Sequence, residues 1–123
     1  MYSVTVSESF VAQHVLTVPN PPPEEATVHS HAFTAEITFR GADLGEYGYL
    51  LDIDAAREAL ADAVDRYRDE TLNDHLSGNP SVERLANALH TQLAAIDAPA
   101  VEELTVTVFE DDKARVSYTG QTD

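Results

Sequence analysis

Two long stretches of apolar–polar alternation, residues 2–15 and 27–40, constrain this chain more than any other feature. In a strand, successive side chains point to opposite faces, so a period of two marks a strand with one buried face. In the first stretch Tyr2, Val4 and Val6, then Phe10, Ala12 and His14, share a face, and a bend is expected near Ser7–Ser9. In the second stretch His29, His31, Phe33, Ala35, Ile37 and Phe39 share one. Between them Asn20-Pro21-Pro22-Pro23 breaks regular structure, because a triproline is a stiff, extended segment. Gly41 to Gly48 is the next turn region.

The period then changes. Ala56, Ala59, Leu60, Ala63, Val64 and Tyr67 recur at helical spacing, with Asp54 as the expected N-cap. Residues 73–80 are loop-like in composition. Ser81 is placed to cap a second helix whose apolar face is Val82, Leu85, Ala86, Leu89 and Leu93, ended by Ala98-Pro99. His90, on that helix, is expected to face solvent. Val101–Phe109 and Ala114–Tyr118 read as closing strands around the turn Glu110-Asp111-Asp112-Lys113. The order β-β-α-α-β-β predicts one α+β domain over residues 1–123, an antiparallel sheet covered on one face by two helices.

Composition removes several function classes. There is no cysteine, so a disulfide scaffold, a thiolate zinc site and a cysteine nucleophile are excluded. Twenty-two acidic residues stand against seven basic ones, a formal charge of −15, and Lys113 is the single lysine. Nucleic-acid binding needs a basic patch that this chain lacks. No apolar run approaches the roughly 20 residues of a membrane span. The first ten residues lack the basic and apolar regions of a signal peptide, so a cytoplasmic location and no membrane partner are expected. Acid-rich, lysine-poor composition also resembles that of proteins from high-salt cytoplasms.

The chemistry is concentrated in the histidines. His29-Ser30-His31 places two imidazoles on one face of a strand, side by side. His14 lies on the preceding strand, on the face of Phe10 and Ala12. Three neutral imidazoles with an open fourth position suit a catalytic zinc ion. A histidine pair on a strand is also found without any metal. Here both point with Phe33, Ile37 and Phe39, toward the core side, where an unpartnered polar ring is costly and ligation removes the cost.

The ordered set of short motifs resembles the 6-pyruvoyl-tetrahydropterin synthases and the related 6-carboxy-tetrahydropterin synthases. Phe10-x-Ala12-x-His14 followed by His29-x-His31 is similar to their zinc motif. Gly48-Tyr49-Leu50-Leu51-Asp52-Ile53, Leu72-Asn73, Asn79-Pro80-Ser81-x-Glu83, Val108-Phe109-Glu110 and Tyr118 resemble later family segments in the same order. The resemblance implies the tunnelling fold, Zn2+ on His14, His29 and His31, and a dihydropterin substrate anchored by Glu110. It also implies homo-oligomers, commonly a dimer of trimers, with substrate sites between subunits. A carboxylate accepting from two pterin N–H groups is the chemical logic of the Glu110 assignment. Taken without the resemblance, Glu110 reads as an exposed charge at a hairpin end.

Two catalytic elements of the family have no direct counterpart. The family base is a cysteine a few residues before the His-x-His pair. Four residues before His29 stands Glu25, beside Glu24. These read either as carboxylates able to act as a base once desolvated, or as two solvated charges after the prolines. The family's Asp-His dyad precedes Leu-Asn, where this chain has Arg68 and Asp69. An Asp74-His75 pair follows Leu72-Asn73 and reads as the displaced dyad or as ordinary loop residues. The expected function is a zinc-dependent lyase acting on a dihydropterin side chain, including aldol cleavage of dihydroneopterin. The alternatives are a catalytically degenerate pterin- or metal-binding member and a metal-free structural oligomer. The charge of −15 predicts a melting temperature that rises with salt, as screening relieves self-repulsion. Thermal unfolding in rising potassium chloride measures it, and a salt-independent midpoint contradicts it.

Overall fold

The computed structural model describes residues 1–123 and has the expected element order. Strand β1 is Tyr2–His14 and β2 is His29–Gly41. Helix α1 is Ile53–Asp65 and α2 is Val82–Leu93. Strands β3, Glu103–Glu110, and β4, Ala114–Gly120, close the chain. The four strands form one antiparallel sheet in the order β1-β2-β3-β4, with α1 against β1 and α2 against β3 and β4. No helix is long and apolar enough to cross a membrane.

Alternation decides which sheet face is buried. Val6, Phe10 and Ala12 of β1, Phe33, Ala35, Ile37 and Phe39 of β2, and Leu104, Val106 and Val108 of β3 turn inward. They meet Ala56, Leu60, Ala63 and Val64 of α1 and Leu85, Ala86, Leu89 and Leu93 of α2 in a single core. Each fully buried Leu, Ile or Phe contributes about 1.5–3 kcal/mol over its exposed state. The opposite face is polar, tied by cross-strand hydroxyl pairs such as Thr5–Thr38 at 3.0 Å and Thr107–Ser117 at 2.8 Å.

Of three local expectations, one is refined and two are corrected. First, any bend near Ser7–Ser9 leaves the pairing of β1 intact: Tyr2↔Gly41 to His14↔His29 is one unbroken register. The polar run Ser7-Glu8-Ser9 keeps the period, with Ser7 and Ser9 on the solvated face. Second, the α1 cap is Asp52, not Asp54. Its Oδ1 accepts from Asp54 N at 2.9 Å and Ala55 N at 3.3 Å, so the helix begins at Ile53. Third, His90 is buried at 6% exposure, edge-on to Tyr118 at 4.8 Å. It lies one helical turn beyond buried Ala86, on the rim of the stripe. Gly120 makes the room: a Cβ there would stand 2.9 Å from His90 Cε1.

The segment between β1 and β2 is held from outside. The Asn73 amide pairs with the Val15 main chain in both directions, Val15 N to Oδ1 and Nδ2 to Val15 O, each 2.9 Å. Asn79 Oδ1 accepts from Thr17 N at 2.8 Å. After the prolines a single 3-10 turn, Pro23–Glu25, brings Glu25 O within 3.0 Å of Leu16 N. Asp69 N donates to Val11 O at 2.7 Å and Gln13 N to Glu70 O at 2.9 Å, so residues 69–71 cover part of the β1 edge. Replacing the cap, Asp52→Ala, should destabilise the fold by about 1 kcal/mol, and Asp54→Ala by less. Urea unfolding checks the order of the two.

Candidate metal centre

The β1–β2 register builds the site. His14 sits directly opposite His29, and Ala12 opposite His31. The alternation then sends all three imidazoles to one face at the end of the hairpin. Ring centroids are 4.6 Å apart for His14–His29, 5.0 Å for His14–His31 and 4.9 Å for His29–His31. One ligand-capable nitrogen from each lies within 4.8 Å of the others.

The hydrogen bonds show which nitrogen of each ring is left free to ligate. His14 Nδ1 lies 2.9 Å from Pro80 O, and His29 Nδ1 lies 2.9 Å from Thr27 O. A carbonyl oxygen only accepts, so Nδ1 carries the proton in both rings. His31 Nδ1 donates to the Asp111 carboxylate. In each neutral ring Nε2 therefore keeps its lone pair and is free. His29 Nε2 is buried with no hydrogen-bond partner. Three imidazoles, each tied at Nδ1 to an oxygen and open at Nε2, fit the outer shell of a metal-ligating histidine set. An ion would satisfy the buried nitrogen that the protein leaves unpaired.

Electrostatics agree. Burial, the largest cause, lowers the pKa of His14 below its ordinary 6.5; the nearness of His29 and His31 acts in the same direction, and the Pro80 hydrogen bond and Glu110 oppose it. The neutral, ligating form is thus favoured. Asp111 has its carboxyl held below the usual range, first by the His31 hydrogen bond and then by the Ala32 N–H.

A cavity of about 190 Å³ opens beside the rings, lined among others by His14, Glu25, His31, Asn79, Ser81 and Glu110. Glu110, the last residue of β3, is half-buried, its Oε2 4.0 Å from His31 Nε2. Glu25 is half-buried on the cavity wall, whereas Glu24 is exposed. Asp74 is exposed. His75 bonds Glu70 at 3.2 Å, rests edge-on to Tyr67, and lines a different cavity with Glu83 and Arg84. Arg68 is engaged by Asp65, Glu8 and the Ser9 carbonyl. The fold thus lines one cavity with His14, His31, Glu110 and Glu25, sets His29 beside the other two rings, and leaves Glu24, Asp74 and His75 outside that cavity. Asp111 joins the cluster without any signal in spacing; the only hint is a carboxylate one residue beyond Glu110.

The description of 6-pyruvoyl tetrahydropterin synthase matches the sequence over residues 3–121. The chain belongs to the 6-pyruvoyl tetrahydropterin synthase family. This is a family of pterin side-chain lyases. The fold is that of the Caenorhabditis elegans 6-pyruvoyl tetrahydropterin synthase, with a TM-score of 0.76 at 16% identity over 98% of this chain and 96% of that one. The Plasmodium falciparum enzyme gives 0.77 at 13% identity, covering 98% of both chains. A Plasmodium vivax enzyme described as a catalytic-residue mutant, a glutamate changed to alanine, gives 0.77 at 16% identity over 98% of both. No curated protein matches the sequence significantly. The three-histidine group of this family member can hold a metal ion.

The lowered His14 pKa has a consequence for the metal-free protein. The unfolded chain binds the proton first, so the His14 contribution to stability is intact above pH 6.5 and is lost as pH falls through the lowered native value. Urea unfolding of metal-free protein from about pH 7.5 to about pH 5 should show a steeper loss in the unmodified chain than in His14→Gln. Equal slopes contradict the assignment.

Proposed function

We propose that this chain is a zinc-dependent lyase that cleaves the side chain of a dihydropterin. The observation that supports it best is the cluster of three Nδ1-anchored imidazoles beside a cavity that His14, His31, Glu110 and Glu25 line. His14, His29 and His31 would hold the ion, and an all-imidazole donor set with no thiolate suits zinc. When bound, zinc polarises a side-chain oxygen and favours negative charge developing there.

The remaining roles belong to the chain's own residues. Glu110, an acceptor-only carboxylate beside the ring cluster, binds N–H donors of the pterin and sets its orientation. Glu25 moves the proton: it stands on the cavity wall, in a chain without cysteine. The Plasmodium vivax relative, whose catalytic residue is a glutamate, supports a carboxylate in such a role. In aldol cleavage of dihydroneopterin, Glu25 accepts the proton of the hydroxyl one carbon beyond the scissile bond. The carbon–carbon bond breaks, a two-carbon hydroxyaldehyde leaves, and the electron pair left on the pterin-bearing carbon is protonated. Glu24, Asp74 and His75 stand farther from this chemistry.

A cavity of about 190 Å³ is smaller than the roughly 300–1,000 Å³ of a typical ligand site. This supports completion by a second copy, as in a dimer of trimers. The outer edge of β4, and that of β1 outside the part covered by residues 69–71, offer unpaired main chain for such assembly.

A second reading, a binder without turnover, is favoured by one observation. Arg68 occupies the place of the dyad and is locked in ion pairs, and His75 is directed to Glu70. Metal analysis of untagged protein, with assays on dihydroneopterin and its triphosphate, separates the two. The lyase should contain about one zinc per chain and turn over one substrate. Glu25→Gln should then lower kcat about 10²–10⁴-fold with zinc retained. Glu110→Ala should weaken pterin binding by about 1.5–3 kcal/mol, also with zinc retained. Zinc and pterin binding without turnover establishes the binder, and absence of zinc refutes both.

A further inference from the structure

We propose that Asp111 is the positioning residue of the metal centre, locking His31 in the tautomer that presents Nε2 to the ion. This rests on the metal reading above and extends it to a residue outside the ligand set.

Asp111 is fixed against β2 at three points. One carboxylate oxygen, Oδ2, accepts from His31 Nδ1. The other, Oδ1, accepts from Ala32 N at 2.8 Å, and the Asp111 N–H donates to Ala32 O at 2.8 Å. The turn itself accounts for only part of this. Asp111 and Asp112 have φ of 51° and 57°, and Lys113 N bonds Glu110 O at 3.0 Å, a primed hairpin turn. Such a turn accepts Asn as readily as Asp. An amide oxygen would also satisfy Ala32 N. What the carboxylate alone supplies is a second acceptor aimed at Nδ1.

That acceptor decides a contest. His31 lies between two carboxylates, Asp111 at Nδ1 and Glu110 Oε2 4.0 Å from Nε2. A proton on Nδ1 leaves Nε2 able to ligate; a proton on Nε2 points toward Glu110 and blocks it. His14 and His29 have their tautomers set by main-chain carbonyls. His31 depends on a side chain, so one substitution can reverse it.

The test compares Asp111→Ala with Asp111→Asn, reading zinc affinity by competition and the His31 tautomer by long-range proton–nitrogen correlation in metal-free protein. Asp111→Ala, where water can replace the acceptor, should weaken zinc binding about 10–100-fold. Asp111→Asn keeps the shape and the Ala32 bond but turns an N–H toward Nδ1, so it should cost at least as much and shift His31 to the Nε2–H form. The metal-free Asp111→Asn variant should melt close to the unmodified chain. Wild-type zinc affinity and tautomer in Asp111→Asn, with full zinc uptake by the unmodified chain, overturn this proposal and leave the metal reading standing. No zinc uptake by the unmodified chain overturns the metal reading, and this proposal with it.

Discussion

The antiparallel register of β1 on β2 is the constraint on which the remaining structure depends. It sets His14 opposite His29 and Phe10 opposite Phe33, so one pleat carries the core and the histidine cluster. A slip of one residue would send Val6, Phe10, Ala12 and His14 together to the solvated face. The core therefore guards the site: the burial that prevents the slip also aims the imidazoles. Phe10 and Phe33 stack at 5.5 Å immediately below the cluster, and His31 packs on Phe33 at 5.8 Å. The rings thus rest on a packed layer, and their positions follow from its density.

Register brings the rings together but does not decide their tautomers. The three Nδ1 acceptors come from separate places: Pro80 before α2, Thr27 in the loop entering β2, and Asp111 in the β3–β4 turn. The arrangement of the histidine cluster is therefore a product of the whole fold. Several of the family-like residues act at this level. Asn73 and Asn79 replace strand pairing for Val15 and Thr17, where the chain has left the sheet and would otherwise expose main-chain groups. Pro80, between Asn79 and the α2 cap Ser81, gives its carbonyl to His14. The Asn-Pro-Ser motif thus clamps a loop, orients the His14 ring and starts a helix.

Element order, the inward faces and the three histidines were legible in the sequence because each follows from a period of 2 or 3.6. The failures lie where period gives no guidance. Asp52 and Asp54 are chemically equivalent candidates for one cap, and only backbone path distinguishes them. His90 stands at the rim of the α2 stripe, and its burial depends on a missing Cβ at Gly120, thirty residues on by subtraction of the two positions. Asp111 looks like one more solvated charge in an acidic turn until the hairpin returns it to Ala32. Glu25 follows three prolines and has no period; its place on the cavity wall is set by the path of residues 15–28 against Asn73 and Asn79.

Charge distribution is the last link between fold and chemistry. Glu110 and Asp111 share a cluster with His31, and Glu25 lines the same cavity as Glu110. In a chain of net charge −15 no distant surplus of positive charge offsets them. The depressed pKa of His14 means that the buried ring does not supply it either. Carboxylates gathered at a partly buried point repel one another unless a cation stands among them. Yet Asp111 is held in its ionised form by His31, and the imidazoles are arranged to give electrons. A divalent ion at the Nε2 atoms would resolve both conditions at once, accepting the lone pairs and offsetting the carboxylate charge. The acidic setting of three neutral imidazoles is thus one that a cation would suit, on grounds separate from the family likeness.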